Sequence, residues 1–199
     1  MERRTIAAYD FDGTITTCDT FVDFTIFSKG HFRALFAFIL FSPLIIATKL
    51  HIYPNWKAKQ RIFQHLFRGI KISDFNQICK NYYDKRHNYI IRKSAMESIQ
   101  EHVQKNDTIV IISASISNWV RPFANALDIP HVLCTEIDTD MNGLISGQFA
   151  TNNCYGGEKV KRLLQCFPDR ESYQLISYGD SAGDKELLKF SDKAFYKSF

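Results

Sequence analysis

The mostly apolar run Thr5-Ile6-Ala7-Ala8-Tyr9 leads directly into Asp10-Phe11-Asp12-Gly13. A short apolar run closed by a glycine turn reads as a buried strand, with the glycine supplying the break. Two carboxylates therefore stand at the carboxyl end of that strand, one residue apart. Because side chains alternate along a strand, Asp10 and Asp12 start out on the same side of it. Like charges this close repel unless a cation or a shared proton lies between them. A divalent ion is the natural answer, and hard oxygen ligands favour Mg²⁺. A surface turn with two solvated aspartates has the same local sequence, so the pair alone leaves both readings open.

Three further stretches repeat the arrangement. The β-branched run Thr108-Ile109-Val110-Ile111-Ile112 ends at Ser113-Ala114-Ser115, and Tyr173-Gln174-Leu175-Ile176-Ser177-Tyr178 ends at Gly179-Asp180-Ser181-Ala182-Gly183-Asp184. Gly156-Gly157-Glu158-Lys159 opens a helix carrying Val160, Leu163 and Leu164. Apolar spacing predicts helices over 84–105, 117–127, 157–166 and 183–189, and strands over 131–137 and 193–197. Residues 141–147 predict a hairpin with Asn142-Gly143 as its turn. This alternation predicts an α/β fold, a doubly wound and mostly parallel sheet covered on both faces. In such a sheet the strand ends converge on one crevice.

Taken in order, the four motifs resemble those of the haloacid dehalogenase superfamily of aspartate-nucleophile phosphatases. The overall pattern looks like its phosphoserine-phosphatase-like branch, subfamily IB. The resemblance implies a Mg²⁺-dependent phosphomonoester hydrolase that works through an aspartyl-phosphate. Asp10 would be the nucleophile and Asp12 the general acid, then the base. Ser113 and Lys159 would bind the phosphoryl group. Mg²⁺ would be held by Asp10, the backbone carbonyl of Asp12, Asp180 and Asp184, the last directly or from behind the first ligands. Phosphoserine phosphatases carry Glu nine positions after the nucleophile; here that substrate-binding position is Asp19, one methylene shorter. Two other classes share the fold: a degenerate, metal-dependent binding module, and a dehalogenase. Dehalogenation uses no metal, which the Asp180–Asp184 pair argues against.

From Phe21 to about Asn81 the texture changes to dense aromatics at spacings of three and four, which predicts a helical insertion. By resemblance residues 17–83 are the helical cap of the family's first type, and 1–16 with 84–199 the catalytic core. Within the cap, residues 34–47 (ALFAFILFSPLIIA) are apolar all round and flanked by Arg33 and Lys49. The run is too short for a membrane span and contains Pro43. Two readings stay open: two buried cap helices broken at Ser42-Pro43, or an apolar patch for a lipid or membrane surface. The stretch Lys57, Lys59, Arg61 and Arg68 suits anionic headgroups and is equally an ordinary solvated helix face. The run is similar to the cap of bacterial phosphatidylglycerophosphatase C, a lipid-phosphate phosphatase of the same branch. The expected substrate is accordingly a small phosphomonoester or a lipid phosphate, with phosphoserine as the alternative.

A net charge of +4 over 199 residues favours anionic ligands slightly and is no nucleic-acid signature. The five cysteines are odd in number and scattered, which predicts reduced thiols in a cytoplasmic protein, with contact at the inner membrane surface under the lipid reading. Cys154, near Lys159, is a candidate reactive thiol. The charged start Met1-Glu2-Arg3-Arg4 leads straight into a strand, with no signal-peptide apolar region.

Overall fold

A computed structural model describes residues 3–199; Met1 and Glu2 of the charged start lie outside the described residues. The strand before Asp10, β1 (Arg4–Tyr9), is the middle strand of a five-stranded sheet. It pairs in parallel with β2 (Thr108–Ile116) on one side and with β6 (Tyr173–Gly179) on the other. The strand β3 (His131–Thr135) extends the sheet beyond β2, and β7 (Lys193–Tyr196) forms the exposed edge beyond β6.

The sequence of β1 explains its place. Ile6, Ala7, Ala8 and Tyr9 are all fully buried, as a strand covered on both faces requires. Ala7 and Tyr9 face one core, shared with Ile99 of α6 (Lys93–Gln104) and Phe123 of α7 (Ser117–Ala126). Ile6 and Ala8 face a second core, shared with Leu163 of α8 (Gly157–Cys166) and Leu187 of α9 (Lys185–Phe190). The doubly wound α/β sheet expected from the strand–helix alternation is the architecture observed.

Between β1 and α6 the chain forms five helices: α1 (Thr20–Lys29), α2 (His31–Leu40), α3 (Ser42–Lys49), α4 (Asn55–Phe67) and α5 (Ile72–Ile90). Phe24, Phe63, Phe67, Phe75 and Tyr82 are fully buried at their centre, and Phe24 stacks on Trp119 of α7 with ring centroids 4.8 Å apart. Aromatic burial thus ties the insertion to the sheet layer.

Three expectations are corrected. A single helix over 84–105 does not form: α5 runs on to Ile90, Ile91 is extended, and α6 starts afresh at Lys93. The break comes from bonds distant in sequence. Thr17 N–H donates to Ile90 O at 2.7 Å and Arg92 N–H to Ile15 O at 2.8 Å, so the two crossings between insertion and sheet hold each other. The boundary expected after residue 83 therefore falls inside a continuous helix, and the chain returns to the sheet at Ile91–Arg92. The hairpin is also longer and displaced, with strands β4 (Ile137–Thr139) and β5 (Ile145–Phe149) around a turn whose Gly143 has φ 71°. It leaves the sheet to grip the insertion, Gly69 N–H donating to Ile145 O at 2.8 Å and Ile145 N–H to Ile70 O at 2.9 Å.

The third correction concerns residues 34–47. The chain does break at Phe41, with α2 and α3 bent by 61°. Yet only Ala34 and Ala37 are buried in α2, and no residue of α3 is. Full burial as cap helices does not occur: Phe38, Phe41 and Ile45 are half-buried against the core, while Leu35, Phe36, Ile39, Leu40 and Ile46 are exposed. Among the described residues, no helix is long and apolar enough to cross a membrane.

Candidate active site

Asp10 follows the last residue of β1, where its N–H donates to Tyr178 O of β6 at 2.9 Å. This bond carries the strand register to the edge of the sheet and fixes the Asp10 backbone. Lys159 comes from the first turn of α8, and its side chain is only 2% exposed. Its Nζ lies 2.6 Å from Asp10 Oδ1 and 2.5 Å from Asp184 Oδ1. One buried ammonium therefore bridges two buried carboxylates from the ends of different strands.

Asp184 holds a loop as well as a charge. Its Oδ2 accepts from Ser181 Oγ at 2.8 Å, Ser181 N at 3.0 Å and Asp180 N at 3.2 Å. The turn after β6 is wound around this carboxylate, which leaves the Asp180 side chain facing Asp10. Asp180 Oδ1 is buried and has no hydrogen-bond partner. Gly13, with φ 76°, lets the first turn pass close by; a Cβ there would collide with the Asp180 carboxylate.

The charges shift one another. Burial pushes the Asp10 carboxyl up to about 7, against the pull of Lys159. Burial also raises Asp180, and the nearby Asp184 charge adds to it. For Asp184 burial works in the same direction, but Lys159 and the Ser181 bonds outweigh it and hold the carboxyl below the usual carboxylate range. Burial disfavours the Lys159 charge, yet Asp10 and Asp184 together keep it protonated.

Asp12 lines the same cavity, but its carboxylate is held apart from this cluster. Oδ1 accepts from Thr20 N at 3.0 Å and from Thr20 Oγ1, and Oδ2 accepts from Ser115 Oγ. Thr20 is in turn fixed by Trp119 Nε1 at 3.1 Å. Burial raises the Asp12 carboxyl, with Lys59 opposing. What Asp12 could offer a cation is its backbone carbonyl.

Asp10, Asp12, Asp19, Ser113, Lys159 and Asp180 all line one cavity of about 320 Å³, with Asp184 buried beside it. Asp19 does a second job there: its Oδ1 caps α1, accepting from Phe21 N at 2.9 Å and Val22 N at 3.3 Å. Ser113 and Ser115, indistinguishable by sequence, have different surroundings. Ser113 lines the cavity and accepts from Ser115 N at 3.2 Å, whereas Ser115 is committed to Asp12.

Sequence reasoning missed Thr20 and Ser115 as partners of Asp12, and missed Asn55, Lys59 and Tyr155 on the cavity wall. Lys59 reaches over from α4 to donate to Ala114 O at 3.3 Å. Its only sequence signal was membership of a basic stretch. The reactive reading of Cys154 is overturned: the thiol is fully buried, pushed up to about 11 by that burial, and donates to Leu133 O at 3.2 Å.

One carboxylate oxygen from each of Asp10, Asp180 and Asp184 lies within 4.8 Å of the others. Hard oxygen donors, one of them a buried oxygen without a partner, are a donor set that fits Mg²⁺.

A parallel sheet with buried acids at its strand ends and a helical insertion beside them defines a capped, acid-centred class of α/β enzyme. The chain belongs to the haloacid dehalogenase-like hydrolase family, whose model matches residues 7–189. It is 28% identical over 197 residues to protein CicA of Caulobacter vibrioides, covering 98% of this chain and 86% of that one. Among solved structures it is similar to a protein of unknown function from Bordetella pertussis Tohama I, with a TM-score of 0.83, 17% identity, and 95% and 87% of the two chains covered. It is also similar to a substrate-bound phosphoserine phosphatase, with a TM-score of 0.67, 12% identity, and coverage of 98% and 87%. At these identities the two structures establish the shared fold.

Proposed function

We propose that this hydrolase is a Mg²⁺-dependent phosphatase that cleaves a phosphomonoester through an aspartyl-phosphate on Asp10. The observation that carries the reading is the buried Lys159 ammonium, bridging Asp10 and Asp184 beside the unpartnered Asp180 oxygen. Mg²⁺, held by Asp10, the Asp12 carbonyl and Asp180 with Asp184 beside them, would supply positive charge to the phosphoryl oxygens.

The chain's own groups account for the rest. The Asp10 carboxylate attacks phosphorus as the ester P–O bond breaks, leaving the phosphoryl group on Asp10. Asp12, whose raised pKa favours holding a proton, gives it to the leaving oxygen. Asp12 then takes a proton from the water that attacks the aspartyl-phosphate, releasing inorganic phosphate and restoring Asp10. Ser115 and Thr20 hold the Asp12 carboxyl in one orientation through both steps. Ser113 Oγ and Lys159 Nζ bind the phosphoryl oxygens, and Lys159 also keeps Asp10 within reach of the ionised form.

The substrate is a small phosphomonoester or a lipid phosphate such as phosphatidylglycerol phosphate. Phosphoserine is a second reading, favoured by the name of the similar substrate-bound structure and by Asp19 on the cavity wall. The commitment of Asp19 Oδ1 to the start of α1 weakens it. A metal-dependent binding module would not need the Asp12 proton relay, so the intact Asp12–Ser115–Thr20 arrangement favours catalysis.

Phosphate release from p-nitrophenyl phosphate, phosphoserine, sugar phosphates, nucleotides and phosphatidylglycerol phosphate, with and without Mg²⁺, tests the reading. Mg²⁺-dependent turnover is expected, and the best substrate is the one with the highest kcat/KM. A preference of about tenfold is only about 1.4 kcal/mol, so the panel is read quantitatively. No metal-dependent turnover on any member would favour the binding module.

A further inference from the structure

The helix α2 is amphipathic in the inverse sense. It turns Ala34 and Ala37 inward and leaves Phe32 91%, Leu35 58%, Phe36 62% and Ile39 61% exposed. Phe32, Phe36 and Leu40 follow one another at intervals of four, and Leu35 and Ile39 do the same, so the exposed side chains form one continuous apolar face. Beyond the bend at Phe41, α3 continues it with Ile46, 57% exposed, and then Leu50 and Ile52. Apolar faces of this extent mark a binding surface on a soluble protein.

The charges around the face select its partner. Residues 24–73 contain eight of the chain's 25 Lys and Arg and none of its 21 Asp and Glu. This stretch is therefore +8, while the remainder of the chain is −4. Lys29 and Arg33 stand beside Phe32 and Phe36 in one shallow depression, and Lys49 lies at the end of α3. Apolar side chains rimmed by cations with no acid among them match the boundary between acyl chains and anionic headgroups. Neither helix, of ten and eight residues, is long enough alone to cross a bilayer. Although the bent pair has the combined length and apolarity of a broken span, the 61° bend and the flanking cations suit a surface lying in that boundary.

We propose that α2 and α3 dock this protein on an anionic bilayer surface, with Phe32, Leu35, Phe36 and Ile39 inserted among the headgroups and Lys29, Arg33 and Lys49 contacting the phosphates. The geometry joins this surface to the catalytic cavity. A second cavity of about 620 Å³ runs from Ile45, Thr48 and Ile52 to Asn55 and Tyr155. Asn55 and Tyr155 also line the cavity around Asp10, so the two cavities meet there. Docking does not depend on the phosphatase reading, and the vesicle measurement below stands whether or not turnover is found.

The test is flotation of the full chain with vesicles of phosphatidylcholine alone and of phosphatidylcholine containing roughly one-third phosphatidylserine at low salt. The parent is expected to float with the anionic vesicles, less with the neutral ones, and less again as salt is added. Leu35→Ser, Phe36→Ser and Ile39→Ser combined are expected to weaken vesicle binding by about tenfold or more while leaving solution turnover of p-nitrophenyl phosphate unchanged. Should that variant fold poorly by circular dichroism, Arg33→Glu with Lys49→Glu probes the same face through its charge, with loss of the preference for anionic vesicles expected. A parent that stays off anionic vesicles at low salt, or variants that bind as the parent does, would overturn the proposal. So would sedimentation showing a parent dimer that the serine variant turns into monomers without any vesicle binding, because the face would then serve self-association.

Discussion

The strand-end cleft buries two carboxylates and an ammonium, and the outer face of α2 exposes five large apolar side chains. In the cleft the burial of Asp10, Lys159 and Asp184 is close to complete. Asp10 and Asp184 share Lys159 at 2.6 and 2.5 Å, and the Asp180 oxygen beside them is left without a partner. On α2 the exposed Phe32 and Phe36 are left uncovered by the described residues. Both arrangements cost folding free energy, the first through desolvation and the second through unburied apolar area. The difference is that the cleft is compensated in part, by one lysine for three acids, and the α2 face has no compensation among the described residues. The remaining acid excess of the cleft calls for a small cation, whereas the open apolar face calls for a surface outside the chain.

The largest effect should come from breaking the internal compensation. Lys159→Met leaves Asp10 and Asp184 buried together without their cation, and loss of one partner of a buried pair costs about 3–5 kcal/mol. Turnover should vanish and the melting temperature should fall in the apo protein. A variant as stable as the parent would mean that the two acids are not paired through Lys159.

Contrasting substitutions of one residue type sharpen the comparison next. Phe24, fully buried against Trp119, should cost about 3–5 kcal/mol when changed to Ala. Phe36→Ser on the open face should change stability by no more than about 0.5 kcal/mol. Equal losses in chemical denaturation would show that α2 is packed after all.

Asp180→Asn should weaken Mg²⁺ binding by about tenfold or more, because a charged oxygen ligand becomes neutral. Isothermal titration reads the affinity directly, and excess Mg²⁺ should restore part of the turnover. Unchanged Mg²⁺ dependence would remove Asp180 from the metal site.

The smallest expected effect is on pH dependence. The Asp10 carboxyl is raised to about 7 without metal, so the folded apo protein binds a proton there more tightly than the unfolded chain. That contribution to stability is present in full below the ordinary carboxylate range and is lost as pH rises through about 7. Mg²⁺ competes with the same proton, so its affinity should strengthen as pH rises from about 6 to 8. An affinity independent of pH over that range would show that Asp10 is already ionised in the apo site.

The sequence made the sheet and the acids of the cleft legible for a common reason: both are written in local pattern. A glycine pair, Lys159 and then Leu163 marked α8 to the residue, and mostly apolar runs marked β1 and β6. The break at Ile91 was hidden because its cause is a bond from Arg92 to Ile15, far away in the chain. The holders of Asp12, Thr20 and Ser115, were hidden for the same reason, since they meet it only when β1, α1 and β2 are assembled. Residues 34–47 stayed ambiguous for a different reason. Large apolar side chains and alanines look alike in a count of apolar residues, and only packing shows that the alanines face inward.

The proposed chemistry turns on Asp10 carrying the phosphoryl group. Turnover of a phosphomonoester with Mg²⁺, quenched in acid within the first cycle and followed by peptide mass analysis, reads this directly. The expected result is a peptide containing Asp10 heavier by one phosphoryl group, absent in Asp10→Asn, whose Oδ1 can still accept from Lys159 and so keep the fold. Phosphate release by Asp10→Asn at the parent's rate, or a burst in the parent with no label on that peptide, would contradict it.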